Sequence, residues 1–194
     1  QGKMPQALEK ADLYIAAQPR DAQGPFTKGL ILTELGRPDE AIAVFTGLTE
    51  NFPELPEPYN NLAVLYARQK QYDKAFDRCN RMMKQVEANP AALGVVYDLK
   101  GALHLARGET RQAEETLHTA IQKNPNLLRP YYSLAGIYLR EQKADKAIDQ
   151  FTSRLKVSPR QAAPNLMIGV IYDSQKKFDL SEKYYRAALE ANPR

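Results

Sequence analysis

Residues 59–66 read Tyr-Asn-Asn-Leu-Ala-Val-Leu-Tyr, and Tyr59, Leu62, Ala63 and Tyr66 fall at i, i+3, i+4 and i+7. That spacing is one stripe of an α-helix, with a small residue set into a large apolar face. Outward from Ala63, the same small-then-large pair recurs at Gly29–Leu32, Gly101–His104, Ala135–Tyr138 and Gly169–Tyr172. From Gly29 onward the intervals between the small residues are 34, 38, 34 and 34. A companion pattern follows each pair. Ala41/Phe45/Leu48/Pro53 returns as Ala147/Phe151/Arg154/Pro159 and as Ser181/Tyr185/Ala188/Pro193. A weaker copy, Ala7/Ala11/Tyr14/Pro19, opens the chain. A fixed period of this length makes each period one supersecondary unit.

Glycine in mid-helix costs about 1 kcal/mol against alanine, so Gly29, Gly101 and Gly169 persist where another helix must come close. Gly36 and Gly108 fall where first helices end and suit left-handed C-caps. Pro38 suits the first position of a second helix, and the Asn-Pro at 124–125 and Ser-Pro at 158–159 stop second helices.

These residues resemble the tetratricopeptide repeat, a helix–turn–helix with small residues where its two helices cross. The resemblance covers the whole chain. It implies an all-α, right-handed α-solenoid in a single domain, 1–194, with units 22–55, 56–93, 94–127, 128–161 and 162–194. Residues 1–21 supply the second helix of a truncated repeat. Departures are modest: the fourth position of each unit holds Pro25, Tyr59, Tyr97, Tyr131 and Asn165 instead of Trp, and His104 stands where Tyr is usual. The second unit is four residues longer, and Pro90 lies 15 residues after Ala75. The expected effect is a longer second helix through Met82–Ala88, one helical turn keeping the buried stripe in phase.

The composition is that of a chain able to build a core, at 43% hydrophobic and 26% charged, which excludes a disordered tail or a collagen-like fibre. The longest apolar runs fall far below the ~18–20 residues that span a bilayer, and no charged-then-apolar leader is seen. The start at Gln1 reads as that of a processed or excised fragment. Cys79 is alone, so no internal disulfide forms and the redox compartment stays open between bacterial cytoplasm and periplasm. A net charge of +4 permits acidic partners without demanding them.

Motifs for phosphate, acyl or metal chemistry are absent: no Gly-rich loop, no Gly-x-Ser-x-Gly, no His-Glu-x-x-His, no Cys-x-x-Cys. His104 and His118 lack metal-ligand spacing and are read as structural, and Cys79 as a small buried hydrophobe. Neither catalysis nor a cofactor is expected. Lys70, Lys74, Arg78 and Arg81 form one basic stripe, interleaved with Asp73 and Asp77 as on a solvated helix. Nucleic acid would need a broader field with stacking aromatics, and most tyrosines here sit at core positions.

Function then falls to the inward face implied by the resemblance. Its row is Phe26, Leu30, Asn60, Val64, Asp98, Ala102, Tyr132, Leu166 and Val170, with Arg129 beside it. Mostly apolar and left open by packing, the row reads as a groove for a partner helix or extended peptide, with Asn60, Asp98 and Arg129 fixing register. The clamp by which some family members hold acidic chaperone tails is rejected, since only Asn61 matches its pattern. Gly-Arg-Pro-Asp-Glu-Ala and Pro-Tyr-Asn-Asn-Leu-Ala look like bacterial envelope and assembly-factor repeats, and the later units like export scaffolds. A self-assembling structural module and a regulatory domain of a larger protein are the alternatives. Self-association is expected through Leu8, Leu13 and Ile15 at one end and Tyr184, Ala188 and Leu189 at the other, and a bulky residue is expected to be milder at Gly2 than at Gly101 or Gly169.

Overall fold

The computed structural model describes residues 3–192, so Gln1, Gly2 and Pro193 lie outside the described residues. Among those residues the fold is all-α, without strands. The helices are α1 (Lys3–Ala17), α2 (Gln23–Glu34), α3 (Pro38–Asn51), α4 (Pro56–Arg68), α5 (Tyr72–Gln85) and α6 (Pro90–Arg107). They continue as α7 (Thr110–Lys123), α8 (Arg129–Arg140), α9 (Ala144–Val157), α10 (Ala162–Ser174) and α11 (Phe178–Ala191). The chain divides into two compact units, 1–89 and 90–194. In the first, α1 packs on α2, and the hairpins α2–α3 and α4–α5 stack through α3 and α4. In the second, the hairpins α6–α7, α8–α9 and α10–α11 stack in order.

Each hairpin turns by the same device. In the turn after each first helix one residue is left-handed: Gly36 and Gly108 at φ +69° and +80°, and Lys70, Gln142 and Lys176 at φ +59° to +60°. The next amide reaches back five residues: Arg37 to Leu32, Gln71 to Tyr66, Glu109 to His104, Lys143 to Tyr138 and Lys177 to Tyr172, all at 2.8–2.9 Å. This satisfies a carbonyl that the helix end would otherwise leave open. The same residues are the N-caps of α3, α5, α7, α9 and α11, so one residue closes one helix and opens the next.

The small positions do what their spacing requires. A Cβ on Gly29, Gly101 or Gly169 would lie 2.6 Å from Phe45, Leu117 or Tyr185 respectively. Ala63 and Ala135 are buried at the equivalent crossings. In the second unit Leu117, Leu134, Ile137, Phe151 and Ile168 make one apolar core across three hairpins. Cys79 is fully buried in α5, as a small hydrophobe.

The insertion behaves differently from the sequence expectation. α5 has 14 residues, the same length as α3, α7, α9 and α11, and ends at Gln85. The extra residues instead lengthen the first helix of the next hairpin. α6 runs for 18 residues where the other first helices have 12 or 13, and it opens on Pro90. Proline starts a helix as readily as it stops one, because its missing N–H is unneeded in the first turn. The added turn is held down. Asn124 Nδ2 donates to the Ala91 carbonyl at 3.1 Å, and Gly94 lets the Asn124 backbone and Cβ approach.

The expected end residues split. Leu13 and Leu189 are 65% and 71% exposed, whereas Ala188 is buried and Tyr184 stacks on Tyr172 at 5.7 Å.

Candidate functional site

The expected row falls across the two units. In the first, α2 presents Leu30, exposed, and Phe26, half-buried, whose ring meets the edge of Phe45 at 5.7 Å. Phe26 therefore braces α3 as well as facing outward. Asn60 and Val64 are half-buried on α4. A cleft of about 680 Å³ in the first unit lies elsewhere, between α1, α2 and α3, lined by residues including Ile15, Pro25, Lys28, Val44, Gly47 and Phe52. The sequence reading missed this cleft. Its signal is the small pair Ala43 and Gly47, one turn apart on α3; a Cβ on Gly47 would meet nothing within 4 Å.

In the second unit α8 and α10 carry the open apolar surface. Leu139, Leu166 and Val170 are 39%, 49% and 46% exposed, far above the core level. Val95 on α6 and Leu128, the N-cap of α8, are also exposed. Gly136 stands between Tyr132 and Leu139 on α8, and a Cβ there would meet nothing within 4 Å. Ala102 is half-buried on α6. Tyr132 is half-buried, its ring set edge-on to Phe151 at 5.0 Å.

Asp98 and Arg129 meet directly, and this corrects one expectation. Asp98 is 5% exposed and accepts from Arg129 Nε through Oδ2 at 2.6 Å, so it is a floor residue and not an exposed contact. Burial pushes its carboxyl above the ordinary carboxylate value, and the guanidinium beside it opposes the rise. Arg129 remains exposed.

The histidines have protein partners. His104 Nδ1 lies 2.7 Å from Glu109 Oε2, across the α6–α7 turn. His118 Nε2 lies 3.3 Å from the Tyr138 hydroxyl, which donates to Glu114. Burial, then that carboxylate, pushes the Tyr138 phenol up. Among the described residues no group of three His, Cys, Asp or Glu could hold a metal, and no helix is long and apolar enough to cross a membrane. The basic stripe of α5 is engaged by its own unit: Lys74 and Arg78 lie over the Tyr66 ring at 5.5 and 6.0 Å, and Arg81 pairs with Asp77 at 3.0 Å.

Family models described as tetratricopeptide repeat match residues 26–90, 99–156 and 162–194. A chloroplastic tetratricopeptide repeat domain-containing protein, PYG7, of Arabidopsis thaliana is 29% identical over 116 residues, 58% of this chain and 38% of that protein. The human protein O-mannosyl-transferase TMTC1 is 22% identical over 136 residues, 70% of this chain and 15% of the transferase. The chain thus spans well under half the length of these relatives. Among solved structures, MamA superposes with a TM-score of 0.62 at 22% identity, covering 84% of this chain and 93% of that one. YrrB, described as having an unusual peptide-binding site, gives 0.57 at 18% identity, covering 96% and 94%.

Proposed function

This chain belongs to the tetratricopeptide repeat family, and from that premise we propose that it is a non-catalytic scaffold that holds a partner protein. The partner presents a helix or an extended segment to the open face of the first helices. One observation carries the reading: in the second unit Leu139, Leu166 and Val170 stay 39–49% exposed on neighbouring first helices while the core beneath them is closed. Apolar side chains aligned on a face that packing leaves open are the usual anchors of a peptide groove. YrrB, similar in fold, is named for a peptide-binding site, which supports the class of function.

The repeat residues are committed to packing and turns, so the transferase activity of one long relative is not carried over to this segment. The α5 cations rest on Tyr66 and Asp77, which disfavours a phosphate-binding face. On the short-motif resemblance alone, the system is a bacterial envelope, assembly or export machinery.

Affinity capture followed by mass spectrometry tests the reading. The wild-type chain should retain a specific protein at about 0.5 M salt, where phosphate-driven binding fades. Leu166→Asp with Val170→Asp should lose it. Retention by that double variant, or loss of the partner in salt alone, would overturn the groove.

A further inference from the structure

We propose that Arg154 in the second unit receives a carboxylate from the partner segment, with the Tyr132 hydroxyl as its companion donor. The inference rests on the groove reading above and adds the chemistry of what the groove selects. Arg154 is 4% exposed, and its Nε and Nη1 are buried without a hydrogen-bond partner. Among the described residues no carboxylate pairs with it. A guanidinium cannot shed its proton to relieve burial, and a buried cation without an anion is strongly unfavourable.

Packing does not call for it. The equivalent position of the other hairpins holds Leu48, Met82, Ala120 and Ala188, all buried. Arg154 comes one turn after Phe151 on α9, and the Phe151 and Tyr132 rings meet in a T-shaped contact. Burial raises the phenols of Tyr131 and Tyr132, and the Arg154 charge opposes the rise in both. Tyr131 is spoken for, donating to the Pro125 carbonyl at 3.2 Å. The Tyr132 hydroxyl is buried and has no partner. Arg154 and the Tyr132 hydroxyl are therefore open donors and one of them is charged, and a carboxylate, which only accepts, is their complement. Asp98 does not fill this role: its Oδ2 is held by Arg129, and its Oδ1, although buried without a hydrogen-bond partner, makes no ion pair with Arg154. The Gln161 Oε1 is also buried and unpartnered, but an amide oxygen carries no charge to balance the guanidinium. Tyr132, half-buried on α8 in the expected row, meets Phe151 of α9 one turn before the buried arginine. The occupant is thus a peptide with an acidic side chain or free C-terminus set among apolar anchors.

The test uses a displayed library of random short peptides panned against the whole chain. Enriched peptides should carry Asp, Glu or a C-terminal carboxylate at a fixed place between apolar residues. For a synthetic binder, Glu→Gln (or C-terminal amidation) should weaken binding to the wild-type chain about tenfold or more. Against Arg154→Met the same change should matter less than about twofold, while the variant melts at or above the parent temperature. Arg154→Lys, keeping charge without the planar fork, should retain part of the preference and covers a Met variant that misfolds. Enrichment of acid-free peptides, or a preference that survives Arg154→Met, overturns the inference. Binding untouched by Leu166→Asp with Val170→Asp overturns the groove itself, and a library that yields no binder removes both.

Discussion

Arg129 donates from Nε to Oδ2 of Asp98 across 2.6 Å, joining α8 to α6 through one exposed and one buried partner. Burial dominates at the carboxyl, which is raised above its ordinary value. A raised folded-state value means the native state holds the proton more tightly than the unfolded chain. Asp98 therefore favours folding fully below about pH 4, and that contribution fades as pH climbs through the raised value. Asp98→Asn, which stays neutral, should melt at or above the wild-type temperature at pH 7, with the gap closing near pH 4. Thermal melts across that range check it. A marked loss of stability in the variant at pH 7 would show that the ion pair outweighs the burial.

The glycines divide by what lies above them. Gly169→Leu drives a side chain into the Tyr185 ring, already 2.6 Å from an added Cβ, and should cost at least about 1–3 kcal/mol. Gly136→Ala meets open space in mid-helix and should gain about 0.5–1 kcal/mol from lost unfolded-state freedom. Urea unfolding of both variants reads the signs. Equal effects would mean that the small positions are not set by helix crossings.

The period of small and large residues made the fold legible, because Gly29, Ala63, Gly101, Ala135 and Gly169 mark the same crossing in five hairpins. The caps were half legible. Gly36 and Gly108 announce a left-handed residue, but Lys70, Gln142 and Lys176 adopt it because the turn imposes it, and their side chains carry no such signal. The insertion was misplaced because Pro90 can stop one helix or start the next, and only packing on Asn124 decides. In the site, the inward row implied by the resemblance includes the exposed positions Leu30, Leu166 and Val170. It could not show that Asp98 is buried under Arg129, nor that Arg154, at a position of apolar neighbours, has no anion.

The left-handed caps give a direct stability test. A side chain at φ near +60° costs roughly 1 kcal/mol or more, which glycine avoids. Lys176→Gly and Gln142→Gly should therefore each gain about 0.5–1 kcal/mol after the extra unfolded-state entropy is subtracted. Gly108→Ala should lose about 1 kcal/mol or more at its φ of +80°. Denaturant midpoints with unchanged slopes would measure all three. Loss of stability in both glycine variants would mean that the lysine and glutamine side chains are held by contacts stronger than the strain.

The groove prediction follows from exposure. Leu30 in the first unit and Leu166 and Val170 in the second are 40–49% exposed, so replacing them with Asp should leave stability within about ±0.5 kcal/mol. A partner anchored on them would lose its central apolar contacts, which commonly cost more than ~1–2 kcal/mol each, or about tenfold in affinity. Arg81→Glu on α5 breaks only an exposed pair with Asp77 and should change affinity little. Arg78 is a poorer control, because its guanidinium lies over Tyr66 and its loss would disturb packing. Leu30→Asp and the Leu166→Asp, Val170→Asp pair are best tested apart, since a short segment can engage one unit alone. Circular dichroism fixes folding and anisotropy of a labelled binder fixes affinity. If Arg81→Glu abolished binding while both groove variants bound as the parent does, the partner would sit on the outer helices, and the inward row would be bracing alone.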